Sequence, residues 1–204
     1  MSKNLPQRIR QMNLKWRTFT VVSMLGPALC LTMLLLAGCA RKSDIDYGFS
    51  VNNVSVKPGF QSLSVNLELE LELSQQAREA LEHGVTLTIS LDMELSNDNN
   101  LIVEKRDSRR FNFRYLPLSE RYQFSVEETG ELQAFSRLRH LLAAFNNLNL
   151  ELSTGPLPRG DYELRTRIRL DERRLPAPMQ MPAWLSSQWQ HDSEWSVWPF
   201  TVSA

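Results

Sequence analysis

The stretch Ser62–Leu73 reads SLSVNLELELEL and decides how the rest of the chain is interpreted. Every second residue in it is apolar: Leu63, Val65, Leu67, Leu69, Leu71 and Leu73. In a helix these six side chains would be scattered around the whole circumference, whereas in a strand they share one face. Leucine and glutamate favour helices by intrinsic propensity. The strict alternation nevertheless indicates a half-buried strand, with serine, asparagine and glutamate on the opposite face.

The residues that follow repeat this alternation, with turns and two helices between the strands. Ser74 is a candidate N-cap for a short helix at residues 75–83, which Gly84 would end. Between residues 132 and 145 the apolar period changes to that of a second, amphipathic helix. Further strands are predicted at residues 85–95, 101–115, 122–126, 148–152, 162–170 and 188–202, with a turn at 96–100. The pattern predicts a mainly β fold, an antiparallel β-sandwich with two short helices.

The N-terminal region has the organisation of a secretory signal. Residues 1–18 hold five basic and no acidic side chains, and the apolar run 19–37 follows them. Its exit, Leu36-Ala37-Gly38-Cys39, resembles the lipobox of bacterial lipoproteins, in which the cysteine receives a diacylglycerol and the preceding peptide is removed. We expect a signal peptide at residues 1–38, a lipidated tether at 39–46 and a single β-sandwich domain at 47–204. Translation would start at Met1 or Met12.

The alternative is that residues 19–37 remain as a transmembrane anchor, for which their length is just sufficient. Both interpretations place residues 40–204 in the periplasm, because the basic residues before the apolar run keep the N-terminus in the cytoplasm. Ala40, not aspartate, follows the lipobox, and by resemblance to enterobacterial sorting rules this indicates the periplasmic face of the outer membrane. Anchoring to the inner membrane is the alternative. The expected partners are the membrane, through Cys39, and an envelope protein.

The cysteine content and the net charge limit the classes of protein to which the chain can belong. The only cysteines are Cys30, inside the signal, and Cys39, so the mature chain is expected to contain no disulfide. The whole chain has 23 basic and 23 acidic residues; without the five basic residues of the signal it has 18 against 23, a formal net charge of −5. This charge gives no electrostatic basis for binding nucleic acid.

No catalytic or metal-binding pattern is visible in the sequence. The three histidines, His83, His140 and His191, are far apart and do not have a metal-ligand spacing such as H-E-x-x-H. There is no G-x-S-x-G elbow and no glycine-rich phosphate loop. We therefore expect a protein that is not an enzyme and that uses no cofactor or metal. An envelope hydrolase is the less favoured alternative, and it would need two carboxylates, or a base and a nucleophile, in one cleft.

Three charged clusters are interpreted as solvated surface. The first is an acidic ladder formed by Glu68, Glu70 and Glu72. The second is a basic ladder on a later strand, formed by Arg165, Arg167 and Arg169. The two ladders could also pair with each other across strands. The third is interpreted as an exposed strand edge, where charge discourages aggregation: Arg106, Arg109 and Arg110.

Four of the five tryptophans lie near the C-terminus and allow two hypotheses. They could stack sugar rings, in which case the candidate binding residues are Trp184, Trp189, Trp198 and Phe200. Alternatively, they fill the core, because aromatic side chains bury the largest area per residue. Alternation along the last strand places Trp195 and Val197 on one face and Trp198, Phe200 and Val202 on the other. We predict that core packing dominates and that Trp195 is a core residue.

Four motifs in the C-terminal two-thirds occur in a fixed order: FRYLPLSERYQF (113–124), AFSRLRHLLAAF (134–145), GDYELRTRIRLDERRLPAPM (160–179) and SEWSVWPF (193–200). With this order the chain resembles the proteobacterial domain-of-unknown-function family 4390 over residues 47–200. The resemblance implies no activity, cofactor or catalytic residue. The family's genes often lie near a sensor kinase of the nitrogen-regulation type, which implies a link to envelope signalling.

The sequence thus predicts a lipid-anchored envelope protein that binds or scaffolds another protein. A carbohydrate- or peptidoglycan-binding module that uses the tryptophans is the alternative.

Overall fold

The computed structural model describes residues 47–97 and 103–203. The predicted signal peptide, Cys39 and the tether lie outside these residues, as does most of the turn predicted at residues 96–100. The strands are β1 (Gly48–Pro58), β2 (Ser62–Glu72), β3 (Leu87–Asn97), β4 (Val103–Leu116), β5 (Arg121–Val126), β6 (Leu132–Phe135), β7 (Asn147–Ser153), β8 (Gly160–Leu170) and β9 (Ser196–Val202). The helices are α1 (Gln75–Glu82), α2 (Leu138–Phe145) and α3 (Ala177–Leu185), with 3-10 turns at Glu172–Arg174 and Ser187–Trp189.

The strands form two antiparallel sheets, so the predicted mainly β, sandwich-like fold is confirmed. The smaller sheet has the order β1-β2-β7 and the larger one the order β6-β5-β4-β3-β8-β9. Their apolar faces contribute to one hydrophobic core. Each sheet keeps a polar outer face, as is typical of antiparallel strands that are covered on one side.

The strand predicted from SLSVNLELELEL is β2, the central strand of the smaller sheet. Its leucines and Val65 are buried, while Glu68, Glu70 and Glu72 are exposed. Periodicity therefore prevails over helix propensity, because pairing with β1 and β7 on both sides satisfies the backbone of an extended β2. Ser74 then caps α1 as predicted, its hydroxyl accepting a hydrogen bond from the Ala77 amide at 3.2 Å.

The helix predicted over residues 132–145 is wrong in its first half. Leu132–Phe135 is the edge strand β6, paired with β5, and α2 begins only at Leu138. Within α2, Phe145 is fully buried and meets the rings of Phe111 and Phe113 edge-on, at 4.8 and 5.0 Å between centroids. These ring contacts with β4 hold α2 against the core.

Two further elements differ from the prediction. The chain contains α3, a third helix that was not predicted, and β9 is shorter than the predicted strand at 188–202 because a 3-10 turn occupies its first residues. Strand β1 was also not predicted. Its alternation is interrupted at Asn52-Asn53, where the pairing with β2 shifts by one residue in a β-bulge.

Helices α1 and α3 and the two 3-10 turns pack together at one end of the domain, which we call the helical end. Strand β1 begins there, since Gly48 pairs with Glu72 next to the start of α1. The Tyr47 ring lies 5.2 Å from the ring of His191, just after the second 3-10 turn. Phe60 lies at the opposite end, in the β1–β2 turn, and the eleven residues of β2 put about 36 Å between the two ends.

Among the described residues, no helix has the length and hydrophobicity needed to cross a membrane.

Candidate functional site

The outer face of the larger sheet carries the basic ladder predicted from the sequence, and we call it the arginine face. Arg165, Arg167 and Arg169 alternate along β8 with residues buried in the core. Strand β3 lies beside β8 in the antiparallel register that places Asp92 opposite Arg167 and Glu94 opposite Arg165. The ladder therefore faces carboxylates of the same sheet. It does not pair with the acidic ladder of β2, which belongs to the smaller sheet.

Each arginine of the ladder is held by a carboxylate. Arg169 Nε lies 3.1 Å from Asp92 Oδ2, and Arg165 Nη1 lies 3.7 Å from Glu94 Oε2. Arg167 makes a two-pronged contact with Asp192, which also raises the pKa of Arg167. These side chains are part-exposed, so the pairs contribute little to stability. Their effect is to orient the guanidinium groups, and each guanidinium keeps further N–H donors for a ligand.

The three arginines interpreted as a strand edge lie just before the part of β4 that pairs with β5. Strand β5 pairs with β4 only from Phe111 to Leu116, so Arg106 and Arg109 lie in a segment that pairs with β3 alone and has an open edge, as predicted. Arg106 points to the arginine face and pairs with Glu94 at 3.0 Å. Arg109 points to the other side of the sheet, where it contacts Asp107 at 2.8 Å and the Glu151 carbonyl at 3.3 Å. The alternation of β4 divides the cluster between the two faces.

Arg110 and Arg114 add unpaired positive charge to the arginine face. By the register of β4 they lie on the same side as Asn112, which pairs with Thr88 of β3. Within the described residues, neither guanidinium has a carboxylate within 4.0 Å. They lie closer to the helical end than the carboxylates of Asp92 and Glu94 do. These two side chains make this part of the face more basic than residues 39–204 as a whole, which hold 18 basic and 23 acidic residues.

Trp195 covers part of the ladder, and its predicted place in the core is wrong. The guanidinium carbon of Arg165 lies 5.2 Å from the centroid of the indole, and that of Arg167 lies 6.0 Å from it. These are cation–π distances, and Trp195 is only part-buried. The prediction divided the residues of the last strand between two faces correctly, but it exchanged the inward face and the outward face. Because Leu164 pairs with Trp198, the inward face of β9 is the one that carries Trp198.

The four candidate sugar-binding residues do not form one platform. Trp189 is buried in the core, with 5% of its surface exposed. Trp198 packs against the core and donates a hydrogen bond to Thr166 Oγ1 at 2.9 Å. Phe200 stacks on Tyr162, with 5.7 Å between the centroids. Trp184 alone of the four is strongly exposed, on α3, with 70% of its surface accessible.

Two clefts open on the arginine face. A cleft of about 500 Å³ is lined by Asp92, Glu94, Arg106, Ser108 and Trp195, among others. A second cleft, of about 340 Å³, is lined by Arg167, Arg169, Glu172, Arg173, His191 and Asp192, among others. Each cleft is lined by acidic side chains, basic side chains and an aromatic ring, that of Trp195 in the first cleft and that of His191 in the second. Among the described residues, no group of three or more histidine, cysteine, aspartate or glutamate side chains is arranged to hold a metal ion.

His191 is a structurally important residue that the sequence did not reveal. Its ring is 1% exposed and contacts Tyr47 and Phe49, and its Nε2 accepts a hydrogen bond from the Ser74 amide at 3.0 Å. Burial lowers the pKa of His191, while the carbonyl of Trp189 acts weakly in the opposite direction. The ring is therefore neutral at pH 7. The ring connects β1, α1 and the second 3-10 turn, and its Nε2 already accepts the hydrogen bond from the Ser74 amide.

Glu172 borders the smaller cleft and is also perturbed. Burial raises the pKa of its carboxyl above the ordinary value, and the neighbouring Asp171 adds to the shift. No hydrogen bond or ion pair ties its side chain to a nucleophile in the described part of the chain. The cleft thus offers both acidic and basic contacts for a ligand.

Together, these features define a two-sheet antiparallel β domain whose larger sheet carries a charged outer face with two clefts. The profile of the family described as "Domain of unknown function (DUF4390)" matches residues 46–199, and the chain belongs to this family. No curated protein and no solved structure matches the chain.

Proposed function

We propose that this protein is a lipid-anchored, non-enzymatic module of the bacterial envelope that binds a partner protein through the arginine face. The observation that carries the proposal is the ladder of Arg165, Arg167 and Arg169, which is fixed by carboxylates and by Trp195. Oriented guanidinium groups suit the two oxygens of a carboxylate. Arg110 and Arg114, which pair with no carboxylate of the described residues, add positive charge beside it. The partner that fits is therefore a protein segment rich in aspartate and glutamate.

The anchor in this proposal is a diacylglycerol on Cys39, with residues 40–204 on the periplasmic side of a membrane. The outer membrane is the preferred location, and the inner membrane is the alternative. The lipobox-like exit Leu36-Ala37-Gly38-Cys39 supports the anchor. A role in envelope signalling would fit a tethered binding module of this kind.

Carbohydrate binding is less well supported than protein binding. A sugar platform needs coplanar exposed rings, and three of its four candidates pack against the core of the domain. Hydrolysis is likewise less well supported, since the buried ring of His191 already accepts a hydrogen bond from the Ser74 amide.

The binding proposal is tested by site-specific photo-crosslinking in the native envelope. A crosslinking residue at Val197, on the arginine face with 48% exposure, is expected to capture a protein partner. The same residue at Ser64, which is exposed on the outer face of the smaller sheet, is the matched control and should capture little.

The expected contacts also make the crosslink sensitive to charge. The double variant Arg110→Ala/Arg114→Ala should weaken the crosslink at Val197, because it removes positive charge and leaves no carboxylate unpaired. Lys57→Ala on β1 serves as the charge control and should leave the crosslink unchanged. Raised salt should weaken it as well. Equal crosslinking from Val197 and Ser64, or a crosslink unaffected by the double variant, would contradict the proposal.

A further inference from the structure

Helix α3 has an exposed apolar face. Its nine residues, APMQMPAWL, include no charged side chain. Met181, Trp184 and Leu185 lie three and four residues apart, which places them on one side of the helix. Their surfaces are 72%, 70% and 72% exposed. Ala183 is buried on the opposite side and fixes the helix to the domain. Adjacent large apolar side chains exposed in this way mark a surface that contacts a partner or a membrane.

The position of α3 indicates what it contacts. It belongs to the helical end, and it packs against the two 3-10 turns that flank it. Tyr47, the first described residue, packs on His191 at this same end. Eight residues of chain lead from Cys39 to Tyr47, and a chain of that length extends at most about 29 Å. An anchored Cys39 therefore keeps the helical end close to the bilayer, with α3 on that end.

We propose that α3 lies on the surface of the membrane, with Met181, Trp184 and Leu185 inserted at the level of the lipid headgroups. This inference rests on the lipid anchor of the proposed function. Tryptophan is enriched at membrane interfaces because its ring is apolar and carries one N–H donor. Arg173, exposed just before α3, adds a positive charge that suits lipid phosphates. A second copy of the chain is the competing occupant of this face.

The contact would orient the domain on the membrane. The strands run from the helical end to the opposite end, so seating the helical end on the bilayer leaves both sheets upright. The arginine face would then stay open to a partner in the periplasm. The lipid on Cys39 supplies the attachment, while α3 fixes the direction in which the binding face points.

The test uses the full chain, processed in cells and reconstituted into vesicles of phosphatidylethanolamine and phosphatidylglycerol with brominated acyl chains, which quench tryptophan on contact. The mature protein contains four tryptophans, of which Trp184 is the most exposed. We expect quenching of the wild type and loss of that quenching in Trp184→Phe. The matched control is Trp184→Phe/Phe60→Trp, which keeps four tryptophans and places the exposed one at the opposite end. It should not be quenched.

Intact mass of the same samples reports the anchor separately. An unmodified Cys39 would overturn the anchor alone, since quenching on these vesicles still decides whether α3 contacts lipid. Undiminished quenching in Trp184→Phe, or equal quenching of the Phe60→Trp control, would overturn the inference. So would an unquenched wild type that self-associates and becomes monomeric in Leu185→Arg, which would assign this face to a second copy.

Discussion

His191 links three elements through one neutral ring. The Ser74 amide donates to its Nε2, and Tyr47 and Phe49 pack on the ring. In the folded protein burial holds its pKa below the ordinary value, whereas in the unfolded chain it titrates near 6.5. The unfolded state therefore binds more protons below about pH 6.5. The free energy of unfolding should fall as the pH drops through this range and should be independent of this group at higher pH.

This prediction is checked by urea unfolding at pH 7.5 and pH 5.5. The contribution of His191 to the loss of stability at the lower pH is expected to reach at most about 1.4 kcal/mol. His191→Gln keeps an acceptor for the Ser74 amide but does not titrate, so its stability should fall less between the two pH values. An equal fall in the variant and the wild type would show that His191 is not the group responsible.

The tryptophans Trp189 and Trp195 should respond very differently to truncation. Trp189 is 5% exposed in the core, and Trp189→Ala is expected to reduce the free energy of unfolding by about 3–5 kcal/mol. Trp195 lies under two guanidinium groups on the surface, and Trp195→Ala should cost about 1 kcal/mol. Urea midpoints of the two variants measure the difference. Similar costs would mean that Trp195 is buried after all.

Helix α2 closes the core with one aromatic side chain. Phe145 is fully buried against the rings of Phe111, Phe113 and Phe124. Phe145→Ala should therefore destabilise the domain by about 3–5 kcal/mol. Ala144→Ser, at an exposed position of the same helix, is the matched control and should change stability by less than about 0.5 kcal/mol. Thermal unfolding followed by circular dichroism measures both, and a small effect of Phe145→Ala would contradict the packing described for α2.

Elements with an uninterrupted local period could be predicted from the sequence. In β2, and in β8 from Tyr162 onward, every inward residue is buried and every outward residue is polar, so the pattern alone gives the strand and its faces. Ser74 and Gly84 likewise mark the two ends of α1 through local backbone geometry, and Gly84 has a φ of +86°. These features depend only on residues that are close in the sequence, so they can be predicted from the sequence alone.

The elements that were missed depend on neighbours in space. Leu132–Phe135 has an apolar spacing compatible with a helix, but the open edge of β5 pairs with it and makes it a strand. The orientation of β9 is set by its pairing with β8, and alternation alone cannot distinguish the inward face from the outward one. For the same reason the candidate site was only partly predicted. The arginine ladder was visible in the sequence, whereas its contacts with Asp92, Asp192 and Trp195 arise from the sheet register.

The described domain and its proposed anchor would have separate roles. The domain has a charged face on the larger sheet and an exposed apolar helix at the helical end, where Tyr47 also lies. The anchor would hold both at a membrane surface. A partner held on the same membrane would then find the arginine face by diffusion in two dimensions, which raises its effective concentration.

The lipid anchor is tested by the intact mass of the mature protein purified from membranes. We predict a chain that begins at Cys39 and carries a diacylglycerol, and we predict that Cys39→Ala is neither acylated nor cleaved at this position. A chain that retains residues 1–38, or one that is cleaved without acylation, would contradict the claim that the protein is held on the membrane by a lipid.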